Sequence, residues 1–167
     1  MKKEINLSLL KWRTIMKKTI LTILICGTII LSVTGCENNK NKFDVGNESD
    51  VEITQKEVSL FIKQNTLTKT GATLIIKNNS DIDIQYGEPY EIEIKKDGKW
   101  HKINVELDFN LPVYILKSKT AGEIELDWEN EYGKLATGDY RIIKSYDVEK
   151  EDGSFESFYV SSEFIIK

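Results

Sequence analysis

Histidine and cysteine, the residues most specific for acid–base and nucleophilic chemistry, are scarce in this chain. The sequence contains one histidine, His101, and two cysteines, Cys26 and Cys36. A histidine can act as the general base for a serine nucleophile, but no segment resembles the nucleophile elbow of a hydrolase. His101 lies between Trp100 and Lys102 in a predicted hairpin strand, so its side chain would alternate in direction with theirs. This position favours a histidine on the surface or edge of a strand. We therefore expect no catalytic residues, no cofactor and no enzymatic activity.

Oxygen ligands for a metal ion are more plentiful in this chain than nitrogen or sulfur ligands. A zinc site would need mostly carboxylates here, which is unusual. Asp81 and Asp83, with Asn78, Asn79 and Asp108 near them in the sequence, could supply oxygen atoms to calcium. The segment lacks the EF-hand spacing, and the same residue types are typical of a turn followed by a solvated strand face. We therefore predict no metal site.

Cys36 stands at the end of a pattern typical of a lipidated cysteine. Two lysines precede an apolar segment, residues 19–33, and a glycine directly precedes the cysteine. This order is that of a secretory signal peptide, and Leu-Ser-Val-Thr-Gly-Cys at residues 31–36 resembles a bacterial lipobox. A membrane span is the alternative, but spanning takes about 20 apolar residues. The pattern leaves open whether the leader starts at Met1 or Met16.

The lipobox predicts where the protein works. Residues 1–35 would be removed, and Cys36 would become the first residue and carry a diacylglyceryl group and a fatty acid such as palmitate. Two acyl chains anchor a protein stably, whereas one does so only marginally. Cys26 would leave with the leader, so the mature chain would contain no disulfide. We predict a protein anchored in the membrane through the lipid on Cys36, on the extracytoplasmic face of a Gram-positive envelope.

The mature chain is acidic. Removing residues 1–35 takes away six of the 23 basic residues and one of the 27 acidic residues, which leaves 17 against 26 and a net charge near −9. An acidic surface argues against nucleic acid and anionic lipid headgroups as partners. The remaining 132 residues (167 less 35) suit one domain, which we expect to be a monomer.

The mature chain divides into two parts. Residues 36–52 are rich in Asn, Lys, Glu, Gly and Ser, and this composition predicts a flexible tether. In residues 53–167 apolar residues alternate with polar ones between turn residues, and Asp97-Gly98 between two such runs is typical of a hairpin. No mature segment shows a sustained helical period. We predict an all-β domain over residues 53–167, an antiparallel sandwich of about seven to nine strands.

Leu135, Gly138 and Tyr140 precede the predicted next-to-last strand in an order that resembles a tyrosine corner. In this motif of immunoglobulin-like sandwiches, a tyrosine hydroxyl donates a hydrogen bond to the backbone a few residues upstream. Gly138 would permit the tight entry into the strand, and Leu135 would close the bottom of the sandwich. The alternative is an ordinary turn before a strand whose tyrosine only packs.

Several segments together resemble a known family. They lie at residues 71–79 (Gly-Ala-Thr-Leu-Ile-Ile-Lys-Asn-Asn), 86–93, 109–112, 128–135 and 138–142 (Gly-Asp-Tyr-Arg-Ile). The chain from residue 53 to residue 167 resembles a bacterial Ig-like domain of Firmicute lipoproteins. It is also similar in outline to the intracellular proteinase inhibitor family of bacilli. The first resemblance implies an immunoglobulin-like β-sandwich and carries no catalytic or binding residues.

The connection from Glu106 to Pro112 is a possible recognition loop. It holds Phe109, Leu111 and Pro112, whose side chains would either tuck under the sandwich or form an exposed contact surface. Our first hypothesis is a surface-tethered, non-enzymatic Ig-like module that binds an envelope protein or polymer, or supports an envelope assembly. The alternative is a proteinase inhibitor with this loop as its reactive segment. A hydrolase of envelope material is the remote alternative.

Overall fold

The computed structural model describes residues 43–54, 57–110 and 112–167. Cys36, the leader and Leu111 lie outside the described residues. No helix in the described ranges is long and apolar enough to cross a membrane. These ranges contain ten strands: β1 (Asp44–Glu48), β2 (Val58–Ile62), β3 (Gly71–Asn78), β4 (Ile84–Tyr86), β5 (Glu91–Lys96), β6 (Lys99–Asn104), β7 (Tyr114–Leu116), β8 (Ala121–Asp127), β9 (Gly138–Glu149) and β10 (Phe155–Ile166).

The strands form two antiparallel sheets packed as a sandwich, which confirms the predicted fold class. The smaller sheet has the order β2-β3-β8. In the larger sheet β10 pairs along the whole of one edge of β9, while β5 and β4 share the other edge. β6 and β1 continue from β5, and β7 continues from β4. The described strands outnumber the predicted ones because the sequence pattern does not reveal β1 and β7.

Alternation along β3 shows how the sequence builds the core. Ala72, Leu74 and Ile76 face the larger sheet and are at most 6% exposed, because successive residues of a strand point to opposite faces. The larger sheet contributes residues such as Ile92 and Ile142 to the same buried cluster. Burying one such side chain stabilises the fold by about 1.5–3 kcal/mol, so these facing rows hold the two sheets together.

The prediction of a tether over residues 36–52 is wrong for part of the segment that the structure describes. Asp44–Glu48 form β1, which pairs with β6 so that Val45 stands opposite Ile103. Phe43 and Val45 pack against the core. The composition is misleading because β1 is a short edge strand with polar exposed residues, and its partner strand lies far downstream. The folded domain therefore begins earlier than predicted.

β7 is the second strand that the sequence pattern does not predict. It is three residues long, and it pairs with β4 so that Tyr86 stands opposite Tyr114. Only Leu116 of its residues is buried, so alternation gives no signal over so short a segment. β7 pairs with no other strand of the described ranges and forms an edge of the larger sheet.

A buried ion pair joins β5 to β9. Glu93 and Arg141 stand opposite each other in the ladder, and Arg141 Nη2 lies 2.6 Å from Glu93 Oε2. The Glu93 side chain is fully buried and the Arg141 side chain nearly so. Arg141 also donates to Ser49 Oγ at 3.1 Å, and its guanidinium carbon lies 4.9 Å from the centroid of the Trp100 ring. The segment after β1 thus helps to surround a buried charge.

Candidate functional site

Phe109 and Pro112 of the predicted recognition loop lie beside a groove between the two sheets. Phe109 is half-buried, and its ring centroid lies 5.1 Å from that of Tyr90. Pro112 lies close to Gly87, since a Cβ added at Gly87 would be 3.5 Å from the carbonyl oxygen of Pro112. Leu111 lies outside the described residues. Phe109 therefore contacts the fold rather than projecting freely, and the role of the loop in recognition stays a prediction.

Aromatic rings from separate segments converge at this groove, which we call the aromatic groove. Tyr86, Tyr90, Phe109 and Tyr114 line one side, and the stretch of β8 from Glu123 to Asp127 lines the other. The rings of Tyr86 and Tyr114 lie 5.5 Å apart. The cavity has a volume of about 400 Å³, within the range of about 300–1,000 Å³ for ligand sites.

The groove exists because the ladder along one edge of β9 is interrupted. β4 pairs with β9 at Gln85, and β5 pairs with it from Glu91 onward. The five residues between them, 86–90, stand opposite only three residues of β9, 144–146, and therefore bow outward. Pro89 reinforces the interruption, because proline has no N–H to donate to a ladder. The wall of the groove that carries Tyr86 and Tyr90 follows from this break.

Lys144 fills the gap in the ladder. It is 1% exposed, and its Nζ donates to the carbonyl oxygens of Gly87, Glu88 and Pro89 at 2.9, 3.0 and 3.0 Å. Burial lowers the pKa of Lys144 to about 8. A lysine ammonium has three donors, so one side chain binds all three carbonyls of the connection. Lys144 thereby holds the wall of the groove in place.

Carboxylates surround the aromatic rings. The acidic lining residues are Glu88, Glu123, Glu125 and Asp127. In the described ranges Lys63 is the one cation in an ion pair with any of them, at 2.8 Å from Glu123. The Tyr114 hydroxyl donates to Glu88 at 3.1 Å, and this hydrogen bond raises the pKa of Tyr114. The groove therefore carries a net negative charge, which favours a cationic ligand.

β8 presents an unpaired backbone edge to the groove. It pairs with β3 on one side and with no second strand of the described part. The bond from Trp128 N to Thr70 O, 2.8 Å long, shows that the even-numbered residues of this strand bond to β3. Since the bonding direction alternates along an antiparallel pair, the backbone groups of Glu123 and Glu125 point away from β3 and toward the groove.

Tyr86 and Tyr90 lie at the two ends of this edge. The Tyr86 hydroxyl lies close to Gly122, since a Cβ added at Gly122 would be 3.4 Å from its oxygen. At the other end the Tyr90 hydroxyl donates to the carbonyl oxygen of Asp127 at 3.4 Å. Burial raises the pKa of Tyr90, so its hydroxyl keeps its proton and stays a donor at neutral pH. The open part of the edge is the backbone of residues 123–126.

None of the predicted tyrosine-corner residues lines the aromatic groove. Tyr140 is fully buried, and its hydroxyl donates to the carbonyl oxygen of Ala136 at 3.0 Å. This bond runs a few residues upstream, as in a tyrosine corner. A Cβ added at Gly138 would lie 3.2 Å from the Tyr140 ring, so the close approach favours glycine. Leu135 is buried beside them in the core.

The other candidates for chemistry make structural contacts. His101 Nδ1 lies 3.3 Å from the carbonyl oxygen of Gly46 in β1. Asp83 accepts hydrogen bonds from Lys117 Nζ at 2.8 Å and from Ser118 N at 2.9 Å. Within residues 43–54, 57–110 and 112–167, no three metal-ligating side chains form a cluster. The aromatic groove itself offers ring faces, carboxylates and open backbone groups.

Comparison with known proteins identifies the fold but gives no ligand. The bacterial Ig-like domain family matches residues 54–164, which is more than half of the chain. No curated protein and no solved structure gives a match. β1 precedes the matched residues and pairs with β6, which lies within them. With its two antiparallel sheets and this match, the chain belongs to the family of bacterial Ig-like domains.

Proposed function

We propose that this protein is a lipoprotein, held by Cys36 on the outer face of the cell membrane, whose Ig-like domain binds an envelope protein through the aromatic groove and catalyses no reaction. The observation that carries the proposal is the convergence of four aromatic rings, Tyr86, Tyr90, Phe109 and Tyr114, on an open strand edge. The proposal rests on this site rather than on the fold, since an Ig-like fold alone does not determine a function.

Exposed aromatic surface at the groove supports a role in binding. Tyr114 lines the groove and is 43% exposed. Aromatic residues are enriched in protein interfaces. The acidic side chains around the rings would orient a partner and exclude anionic ones. These features favour recognition by contact.

The proteinase inhibitor hypothesis receives less support. A reactive segment must project its side chains into the pockets of a protease. Phe109, the largest side chain of the predicted recognition loop, instead lies against Tyr90 at 5.1 Å between ring centroids. We therefore place the partner in the aromatic groove rather than on the tip of the loop.

Site-specific photo-crosslinking in living cells tests the binding role. A photoreactive phenylalanine analogue at Tyr114 places the probe in the groove, and the same analogue at Phe155 is a matched control, because Phe155 is also exposed, at 50%, but lines no part of the groove. We expect crosslinks to an envelope protein from Tyr114 that are absent from Phe155 and lost when Tyr90→Ala is added. Equal crosslinking from both positions would contradict the proposal.

The anchor is tested separately. Cys36→Ala removes the thiol that would receive the lipid, so the protein should lose label from a fatty-acid probe and leave the membrane fraction or accumulate as an uncleaved precursor. Cys26→Ala is the matched control, because it also removes a cysteine but keeps the lipobox, and it should label like the wild type. Full labelling of the Cys36→Ala protein would show that the anchor lies elsewhere.

A further inference from the structure

We propose that the aromatic groove takes a basic, extended segment of its partner protein, which adds to the open edge of β8 as an extra strand. This inference rests on the proposed function and specifies the chemistry of the partner. It combines three features of one surface: an unpaired strand edge, a row of carboxylates with the period of a strand, and aromatic rings behind the edge.

The backbone of β8 supplies the first feature. The N–H and C=O groups of Glu123 and Glu125 point away from β3 and have no strand partner among the described residues. In recognition by strand addition, main-chain hydrogen bonds supply affinity and side-chain pockets supply specificity. A strand rises about 3.3 Å per residue, so the edge between the hydroxyls of Tyr86 and Tyr90 accommodates a segment of about five residues.

The side chains of β8 supply the charge pattern. Glu123, Glu125 and Asp127 are exposed, while Ile124 and Leu126 are half-buried, so the carboxylates repeat at every second residue. Residues directly opposite each other in paired strands share a face, and opposite charges there are stabilising. The added strand should therefore carry Lys or Arg at alternate positions, facing these carboxylates.

The aromatic rings define the remaining positions of the added strand. The residues between the basic ones would face the same side as Ile124 and Leu126, where Tyr90 and Phe109 complete the groove. Apolar side chains fit there, because burying them against rings removes apolar surface from water. The pattern that the groove selects is thus basic, apolar, basic, apolar, basic.

A second copy of this chain is a poor occupant of the same edge. Pairing two β8 edges would place Glu123, Glu125 and Asp127 of one molecule beside the same residues of the other. Like charges directly opposite each other in a sheet are destabilising, and Lys63 is already paired with Glu123. The acidic row therefore favours a basic strand and disfavours pairing of two copies through this edge.

Peptide binding to the full-length protein in detergent tests the inference. The probe is a fluorescent Lys-Val-Lys-Val-Lys peptide followed by anisotropy. Two control peptides separate the contributions: Glu-Val-Glu-Val-Glu reverses the charge, and a version of the probe N-methylated at alternate residues keeps the charge but cannot donate to a ladder. We expect the probe to bind, the acidic peptide to show no binding up to about 1 mM, and N-methylation to weaken binding by about tenfold or more.

Charge-reversal variants locate the site. Glu125→Lys should weaken binding of the probe by about tenfold or more, whereas Glu163→Lys, an equal charge change at an exposed position of β10, should change it by less than about twofold. Equal effects of the two variants would mean non-specific attraction and would overturn the inference. Unchanged binding of the N-methylated peptide would overturn strand addition in particular.

The two proposals fail in different ways. If no basic peptide binds while crosslinking from Tyr114 still captures an envelope protein, the inference about the added strand is wrong and the binding role stands. If the peptide binds as expected but Tyr114 and Phe155 crosslink equally in cells, the groove has the stated chemistry but is not the site of the partner.

Discussion

Replacing Arg141 with Met should cost the domain about 3–5 kcal/mol of unfolding free energy, because it leaves a buried carboxylate without its cation. Glu93 is fully buried, and Arg141 Nε and Nη2 both lie 2.6 Å from its Oε2. Within the described residues the other oxygen, Glu93 Oε1, has no hydrogen-bond partner, so the carboxylate depends on Arg141 for its buried ion pair. Since domains are stable by only about 5–15 kcal/mol, this loss would be a large share of the total.

Urea denaturation followed by tryptophan fluorescence measures this loss, because Trp100 lies against the Arg141 guanidinium. The double variant Glu93→Leu with Arg141→Met removes both charges and should recover most of the stability, since apolar replacements of buried pairs are often neutral or stabilising. The exposed pair of Lys99 and Glu48 provides the control, and Lys99→Met should cost less than about 1 kcal/mol. An Arg141→Met protein no less stable than the Lys99→Met protein would refute the reasoning.

Two further predictions concern buried polar groups. Tyr140→Phe removes the donor to Ala136 and should lower the unfolding free energy by about 1–3 kcal/mol, whereas Tyr159→Phe, at a residue 42% exposed, should leave the melting temperature unchanged. Burial lowers the pKa of Lys144 from 10.5 to about 8, so between these pH values the unfolded chain keeps a proton that the folded domain has lost. The contribution of Lys144 to stability should therefore rise with pH across this window, and denaturation at several pH values should show this rise in the wild type but not in Lys144→Met.

The longer strands could be predicted because one of their faces is buried and the other is more exposed. Leu74 and Ile76 alternate with residues that face away from the core, and a sheet with one buried face produces this period of two. β1 gives no such signal, because Val45 is one of only two apolar residues near it and both are only partly buried. Its formation depends on β6, which contributes the partner residues from far along the chain. Composition reports local preference and cannot report such a partner.

The aromatic groove could be predicted only in part. Phe109 stands out in the sequence, because it lies in a long connection. Tyr86, Tyr90 and Tyr114 look like ordinary strand or turn residues until the pairing of β4 with β7 brings Tyr86 opposite Tyr114. The local signal that could have indicated the site is Gly87-Glu88-Pro89, which interrupts an alternating segment where a continuous strand would otherwise run.

The same interruption explains why a lysine is buried in the sandwich. A continuous strand from β4 into β5 would satisfy its carbonyls with N–H groups of β9, but the bowed connection takes the carbonyls of residues 87–89 out of that ladder. Buried carbonyls without donors are costly, and Lys144 supplies three donors from one position. The residues that Lys144 holds, from Gly87 to Pro89, lie between Tyr86 and Tyr90, which line the groove. A regular ladder would close this groove. The buried ammonium of Lys144 therefore stabilises the connection that keeps the groove open.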